Sequence, residues 1–354
     1  MSARRSVLTR PTMLSEPTPF RWGLIGPGRI AQRFAGALPA VPGAQLAVVL
    51  ARDAARGQAF ASAWQQPDAP PVRVVTELEA LLGDPTLDAV YVATPHSEHA
   101  AFVQAVLRAG KAVLCEKPLV TTRADGERLV ALSRERGAFL MEALWTRFLP
   151  AYDLAARWLR EGAIGELRAM RSSFCFPAPY EPGNRLWNPA LAGGALLDIG
   201  IYNLAVTRWV MQQLHGGDCP EPAGLDVQAQ LAPTGVDAVV DATLHFDRGV
   251  SSQFRCGFDA ASANAFEVMG SSGCLRFPHN FSQGQSVELI RRGQPVEHVD
   301  APFVLNGFEG QIAEVQACVG AGLIESARMP HAESLALLGW MDAIRARFPA
   351  AQRV

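Results

Sequence analysis

Two short segments carry side chains that could move protons. Glu116-Lys117-Pro118 places a carboxylate beside an ammonium, and Gly193-Gly194-Ala-Leu-Leu-Asp198-Ile-Gly200-Ile-Tyr202 is a glycine-rich entry to a helix. Asp198 and Tyr202 stand four apart, so on a helix they share one face. A tyrosine acts as general acid or base when a nearby ammonium favours its phenolate and lowers its pKa, and Lys117 is the available cation. Taken singly, Glu116 and Lys117 read equally as a surface pair, and Tyr202 as a core tyrosine with a satisfied hydroxyl. A third segment, Gly26-Pro27-Gly28-Arg29-Ile30-Ala31, fits GxGxxA. Gly26 permits a tight turn, Gly28 lets a pyrophosphate approach the backbone, and Ala31 allows close helix–strand contact. The free N–H groups of the helix that follows complete an anion cradle.

Such residues need a scaffold that brings them to one edge. Trp22–Ile25, Gln45–Leu50, Val72–Val75, Ala89–Ala93 and Ala112–Cys115 are short apolar runs. They alternate with helical stretches at about 29–38, 53–64, 76–82, 97–109 and 122–136, the signature of a parallel sheet covered on both faces. Right-handed crossovers make this a doubly wound α/β domain, with ligands outside the carboxyl ends of its strands. The rhythm breaks after Met141. A helix at about 149–161, an alternating stretch at 166–176, a Pro/Gly-rich loop at 177–194 and a helix at about 200–214 follow. Successive strands near 225–232, 237–246, 250–258, 264–269 and 273–277 then imply a mostly antiparallel, open sheet in an α+β domain. Helices at about 307–321 and 331–347 close the chain. The expected division is a disordered tail over 1–19, a dinucleotide-binding domain over 20–141, and a substrate-binding and oligomerisation domain over 142–354.

The second strand distinguishes the dinucleotides. An NAD site usually ends this strand in Asp or Glu, which holds the ribose 2′-hydroxyl. Here Arg52 is placed to pair with a 2′-phosphate, so NADP is expected ahead of NAD. Asp53 is either the acidic residue one position late or, in the favoured reading, an N-cap for the next helix.

The 354 residues balance 32 Lys and Arg against 34 Asp and Glu, for a formal net charge of −2. Nothing in that balance favours nucleic acid or an anionic membrane as partner. With 49% hydrophobic and 19% charged residues, a buried core is affordable. No uninterrupted apolar run reaches the roughly 18 residues that cross a bilayer. The six cysteines are scattered without a CxxC pair, so they read as free thiols of a cytoplasmic protein. Arg4-Arg5 lacks the apolar stretch that would make it an export signal. His96 and His99 have no convergent ligand set, which leaves no metal expected and makes them pocket-lining polar groups.

Taken together, these segments resemble the glucose–fructose oxidoreductase/inositol dehydrogenase family from about residue 20 to 348. Glu116-Lys117-Pro118 is similar to its EKP motif, and Gly193–Tyr202 to its GGxxxDxGxY motif. Thr94-Pro95-His96, with His99, resembles the loop that borders the cofactor. Glu142-Ala-Leu-Trp145-Thr-Arg147-Phe148 is similar to the dihydrodiol and D-xylose dehydrogenase branch, although Ala51 stands where that branch often has Ser. The resemblance implies catalysis by Lys117, Tyr202 and Asp198. It implies cofactor contacts from Gly26, Gly28, Arg29, Ile30, Ala31, Arg52, Thr94, Pro95, His96, His99, Glu116 and Lys117. Trp145, Arg147, Phe148, Phe176 and Trp187 are the candidate substrate contacts, although each aromatic also reads as core. The implied activity is NADP-dependent hydride transfer at a secondary or anomeric hydroxyl of a sugar, cyclic polyol or dihydrodiol, in a homodimer or higher homo-oligomer. The alternative is a non-catalytic nucleotide-sensing regulator, since the family includes a transcriptional co-repressor.

Overall fold

The computed structural model describes residues 19–67 and 69–349. The expected tail, 1–19, lies outside the described residues apart from Pro19. Six strands, β1 (Phe20–Ile25), β2 (Ala44–Leu50), β3 (Arg73–Val75), β4 (Ala89–Val92), β5 (Ala112–Glu116) and β6 (Leu140–Ala143), make one sheet in the order β3-β2-β1-β4-β5-β6. All its pairings are parallel. Every residue of β4 and β5 is buried, as a sheet covered on both faces requires. Helices α1 (Arg29–Ala37), α2 (Ala54–Ala63), α3 (Leu78–Leu82), α4 (His99–Arg108) and α5 (Arg123–Arg136) form the crossovers. The direction of winding changes between β1 and β4, which opens a crevice at their carboxyl ends. Asp53 caps α2, its side chain accepting from Arg56 N at 3.1 Å.

The second sheet has eight strands in the order β14-β13-β12-β11-β7-β10-β9-β8. They are β7 (Leu167–Cys175), β8 (Gly224–Leu231), β9 (Asp237–His245), β10 (Ser251–Gly257), β11 (Phe266–Gly270), β12 (Gly273–Phe277), β13 (Ser286–Arg291) and β14 (Glu297–Asp300). Only the β7–β10 pair is parallel. Helix α6 (Pro150–Arg160) precedes this sheet, and α7 (Ile201–Leu214) follows β7 in the chain. Every α7 residue from Ile201 to Met211 is buried. Within Pro189–Leu214 the most apolar 18-residue window has a mean hydropathy of 1.4, enough by composition to span a membrane. The stretch holds no uninterrupted apolar run of spanning length, because Asp198, Asn203 and Arg208 interrupt it, and 78% of that window is buried inside the fold, as befits a core helix.

Three strands escaped the sequence. β6 has only four residues, and it crosses the division drawn at Met141. β13 and β14 carry charged residues in places where an apolar run would have revealed them. The closing helices are α8 (Glu309–Gly320) and α9 (His331–Arg345), and α9 returns to the first sheet. There His331 Nε2 meets Leu140 O at 2.9 Å, and Ser334 Oγ donates to Glu142 at 2.7 Å. The first domain is thus finished by residues from the far end of the chain.

A buried ion network secures this return. Arg147 Nη2 and Arg208 Nη2 reach Glu333 of α9 at 2.5 and 3.0 Å, and Gln212 donates to the same carboxylate at 2.6 Å. Burial opposes the charge on Glu333, but the two guanidiniums outweigh it and hold its carboxyl below the ordinary range. Arg147 is therefore a structural ion, not the substrate contact expected. Phe148 is likewise core, buried with the Arg328 guanidinium 4.9 Å from its ring centroid. Neutralising Glu333 would strand two buried cations. Glu333→Gln is expected to lower the unfolding free energy by about 3–5 kcal/mol, measured by urea titration. A loss below about 1 kcal/mol would show that the network contributes little.

Candidate active site

The turn after β1 has the shape an anion cradle requires. Gly26 adopts φ +87°, and a Cβ there would come within 3.0 Å of Ala93 O. Gly28 caps α1 without a side-chain bond, and a Cβ on it would meet nothing nearer than 3.9 Å. That open space lies before a helix with no acidic residue in its first turn, so its positive end is uncompensated. Ala31 is fully buried under the helix, while Arg29 and Ile30 are exposed beside the turn. Thr94 Oγ1, across from Gly26, is buried without a hydrogen-bond partner. Arg52 is exposed at the end of β2, with no ion pair among the described residues. A cleared backbone, an unsatisfied hydroxyl and an unpaired cation all fit a phosphorylated dinucleotide.

The same crevice continues to the catalytic candidates. His99, fully buried, has Nε2 at 3.0 Å from Thr94 O and Nδ1 at 2.8 Å from Pro118 O. Both nitrogens face backbone carbonyls, and the ring, kept neutral by burial, donates to one of them, so it joins the loops after β4 and β5 and is not the cofactor contact expected. Pro95 begins the short turn that carries His96. Beyond Glu116, the last residue of β5, Lys117 Nζ donates to Asp198 O and lies 3.4 Å from Asp198 Oδ1. The same ammonium is 5.2 Å from the Tyr202 ring centroid.

Asp198 sits in a π-helical turn, Leu196–Gly200, which leads into α7 and Tyr202. The turn starts where Gly194, at φ +119°, leaves room for Asp237, whose Oδ2 accepts from Leu196 N at 2.6 Å. Three groups gather on the Asp198 carboxylate. They are Lys117, Arg185 with Nη1···Oδ1 at 2.9 Å, and His96 with Nε2 at 3.8 Å. Burial alone would raise its pKa, but Lys117 first and then Arg185 hold it well below the usual carboxylate range. Burial lowers His96 to about 3, against the pull of Asp198. The neutral ring donates from Nδ1 to Ala192 O at 3.2 Å, a tautomer assigned from that contact, and turns the Nε2 lone pair inward.

Tyr202 behaves differently from the expectation. Burial is the main cause that raises its pKa far above the ordinary phenol value, and the Glu116 charge adds to this. Trp145 Nε1, donating to the phenol oxygen at 3.0 Å, opposes the rise without cancelling it. Lys117 is engaged by Asp198 and faces the ring, so it does not offset the two carboxylates. The phenol is therefore a neutral acid at ordinary pH, not a phenolate held ready.

Glu116 is buried and accepts from Tyr91 O–H at 2.5 Å. Among the candidate aromatics, Trp145 reaches the site. Phe176 and Trp187 pack on Phe258, at 5.3 and 5.1 Å between ring centroids, and form the wall of the 177–194 loop. The aromatic neighbour of Tyr202 is Phe174, 5.6 Å away and not anticipated. Arg185 was also missed, although it is the only cation in the 177–194 segment. Glu142, a lone acid in an apolar strand, accepts from Leu119 N at 2.7 Å and so braces the Lys117-Pro118-Leu119 turn.

Comparison with known proteins places the chain in a family. Residues 20–144 match the model of the oxidoreductase family with an NAD-binding Rossmann fold, GFO/IDH/MocA, and residues 152–276 match the GFO/IDH/MocA C-terminal domain. A trans-1,2-dihydrobenzene-1,2-diol dehydrogenase of Mus musculus is 35% identical over 89% of this chain and 92% of its own length. The Homo sapiens protein of that name is 34% identical over 92% and 96%. A crystal structure of a 3-ketoreductase from Actinomadura kijaniata, in complex with NADP and TDP-benzene, has 32% identity and a TM-score of 0.80. That match covers 94% of this chain and 98% of the other. The chain belongs to the GFO/IDH/MocA oxidoreductase family. It is an NAD(P)-binding oxidoreductase of that family.

Burial raises the Glu142 pKa from 4.5 to about 7, outweighing its bonds from Ser334 and Leu119. The folded state thus holds this proton more tightly than the unfolded chain does. Its contribution to stability is full below about pH 4.5 and is lost as pH rises through about 7. The stability of the wild type relative to Glu142→Gln is expected to fall by about 3 kcal/mol between acid and mildly alkaline pH. Parallel curves for the two proteins in denaturant titrations would contradict this.

Proposed function

We propose that this enzyme uses NADP to transfer a hydride to or from a secondary or anomeric carbon of a dihydrodiol, sugar or cyclic polyol. The observation that carries the proposal is the meeting of Lys117, Asp198 and Tyr202 at the carboxyl edge of β5, in the crevice that begins at the phosphate turn. When bound, the nicotinamide supplies the two-electron acceptor or donor. Gly26, Gly28 and the start of α1 would hold the pyrophosphate, and Arg52 the 2′-phosphate. Lys117 has three N–H donors and commits them in part to Asp198, leaving capacity for a substrate oxygen. Ionised Asp198 is an acceptor only, suited to orient a substrate hydroxyl. Neutral Tyr202 gives its proton to a carbonyl oxygen as the adjoining carbon receives hydride, and takes it back in the reverse reaction. The names of the relatives, diol dehydrogenases and a ketoreductase holding NADP, support both substrate class and cofactor.

The uncovered face of the second sheet supports self-association. Arg171, Gln228, Thr243, Gln253, Arg255 and Glu267 line a groove of about 550 Å³ there, away from Tyr202. We infer a homodimer built on this face.

A screen of NADP and NAD with trans-dihydrobenzenediol, aldoses and inositols, followed by nicotinamide absorbance, tests the assignment. Turnover with NADP on at least one of these classes is expected, and none on any class would overturn it. Arg52→Ala is expected to weaken NADP binding by about 1.5–3 kcal/mol and leave NAD unchanged. Equal losses for both cofactors in fluorescence titrations would remove Arg52 from the 2′-phosphate. Tyr202→Phe is expected to reduce turnover by roughly 10²–10⁴-fold with NADP affinity intact, and near-normal steady-state rates would exclude Tyr202 as the proton carrier.

A further inference from the structure

Arg33 lies on α1, the helix that starts at the phosphate turn, yet its side chain reaches into the second domain. Its guanidinium donates from Nε and Nη2 to Asn306 O at 3.0 and 2.6 Å, and from Nη1 and Nη2 to Gln283 Oε1 at 3.3 and 3.2 Å. Asn306 returns a bond from Nδ2 to Arg33 O at 2.8 Å. The guanidinium carbon stands 4.2 Å from the centroid of the Trp145 ring, and Phe308 packs against that indole at 5.1 Å. The indole cannot rotate without breaking a cation–π contact and disturbing a hydrogen-bonded clamp.

What this fixed indole touches is the hydroxyl of Tyr202. Trp145 Nε1–H is a donor only, so at 3.0 Å it must occupy a lone pair of the phenol oxygen. The phenol proton then points elsewhere, and no acceptor for it lies within hydrogen-bond reach among the described residues. Tyr202 is almost fully buried, so a hydroxyl proton without a partner there is costly unless a ligand oxygen meets it. We propose that Arg33 and Trp145 are positioning residues acting through Tyr202. Arg33 holds the indole, and the indole N–H turns the phenol so that its one proton faces the substrate oxygen. This rests on Tyr202 being the proton carrier.

The experiment compares Trp145→Phe, Arg33→Leu and Arg33→Lys, each in the wild type and in the Tyr202→Phe background. Steady-state kinetics and NADP binding by fluorescence are measured for all. Trp145→Phe keeps a buried ring and removes only the donor and some volume. It is expected to lower kcat about tenfold with NADP affinity unchanged, the loss of roughly one oriented hydrogen bond. Arg33→Leu is expected to lower kcat similarly, Arg33→Lys to recover part of the loss, and the Trp145→Phe, Arg33→Leu pair to be no slower than the worse single variant. In the Tyr202→Phe background, none of these changes should alter the residual rate. Normal kcat in Trp145→Phe overturns the proposal, as do losses that persist undiminished without the Tyr202 hydroxyl. If Tyr202→Phe is slow while Trp145→Phe is normal, the positioning idea alone fails. If Tyr202→Phe turns over normally, the proton-carrier reading and this inference fail together. Should Arg33→Leu not fold, Trp145→Phe in the two backgrounds still decides the outcome.

Discussion

The carboxylate of Asp198 is the point on which the site depends. It lies buried in the turn before α7, a place where a lone negative charge would be strongly disfavoured. Lys117 from the end of β5 and Arg185 from the 177–194 loop compensate it, and His96 from the first domain stands beside it. Each partner comes from a different stretch of chain. The need to neutralise one buried charge therefore draws the two domains and the loop onto the same few ångströms. Tyr202, one helical turn further on, is placed by the same constraint.

Charge compensation also explains why neighbouring groups have such different proton affinities. Asp198 has cations against it and stays ionised. Glu116 is buried with one phenol donor, and its pKa is raised by that burial despite Lys117 nearby. Tyr202 lies near both carboxylates and stays neutral. Lys117 bonds Asp198 directly and acts on Glu116 only through its charge, which does not overcome the burial of Glu116. The result is an acceptor, a cation and a neutral acid around one cleft, which is a set able to hold a hydroxyl-bearing carbon and exchange a proton with its oxygen.

Rigidity comes from farther away. Glu142 braces the turn after Lys117, and Ser334 of α9 braces Glu142. Glu333, beside Ser334, anchors Arg147 and Arg208. Helix α9 thus supports the turn after Lys117 through two layers of buried polar contacts. These contacts tie the first domain to residues that arrive last in the chain.

The alternating apolar runs and helices of residues 20–136 could be read directly, because parallel strands buried on both faces leave a local signature. GxGxxA, the lysine after β5, and the Asp198–Tyr202 spacing were legible for the same reason, since turn chemistry and helical period act over a few residues. The short β6 and the charged β13 and β14 were not, because pairing with distant strands, not local propensity, makes them strands. Nor did the residues alone show that Arg147 serves Glu333, 186 positions away, while Arg185 serves Asp198. The ionisation of Tyr202 was misread for a related reason: an ammonium nearby in principle is spent on whichever carboxylate the fold brings closest. Residue types and their spacing determined which chemistry this chain can perform. Which groups carry the charge, and which way the phenol proton points, depend on burial and long-range contact, and only the tertiary structure decides them.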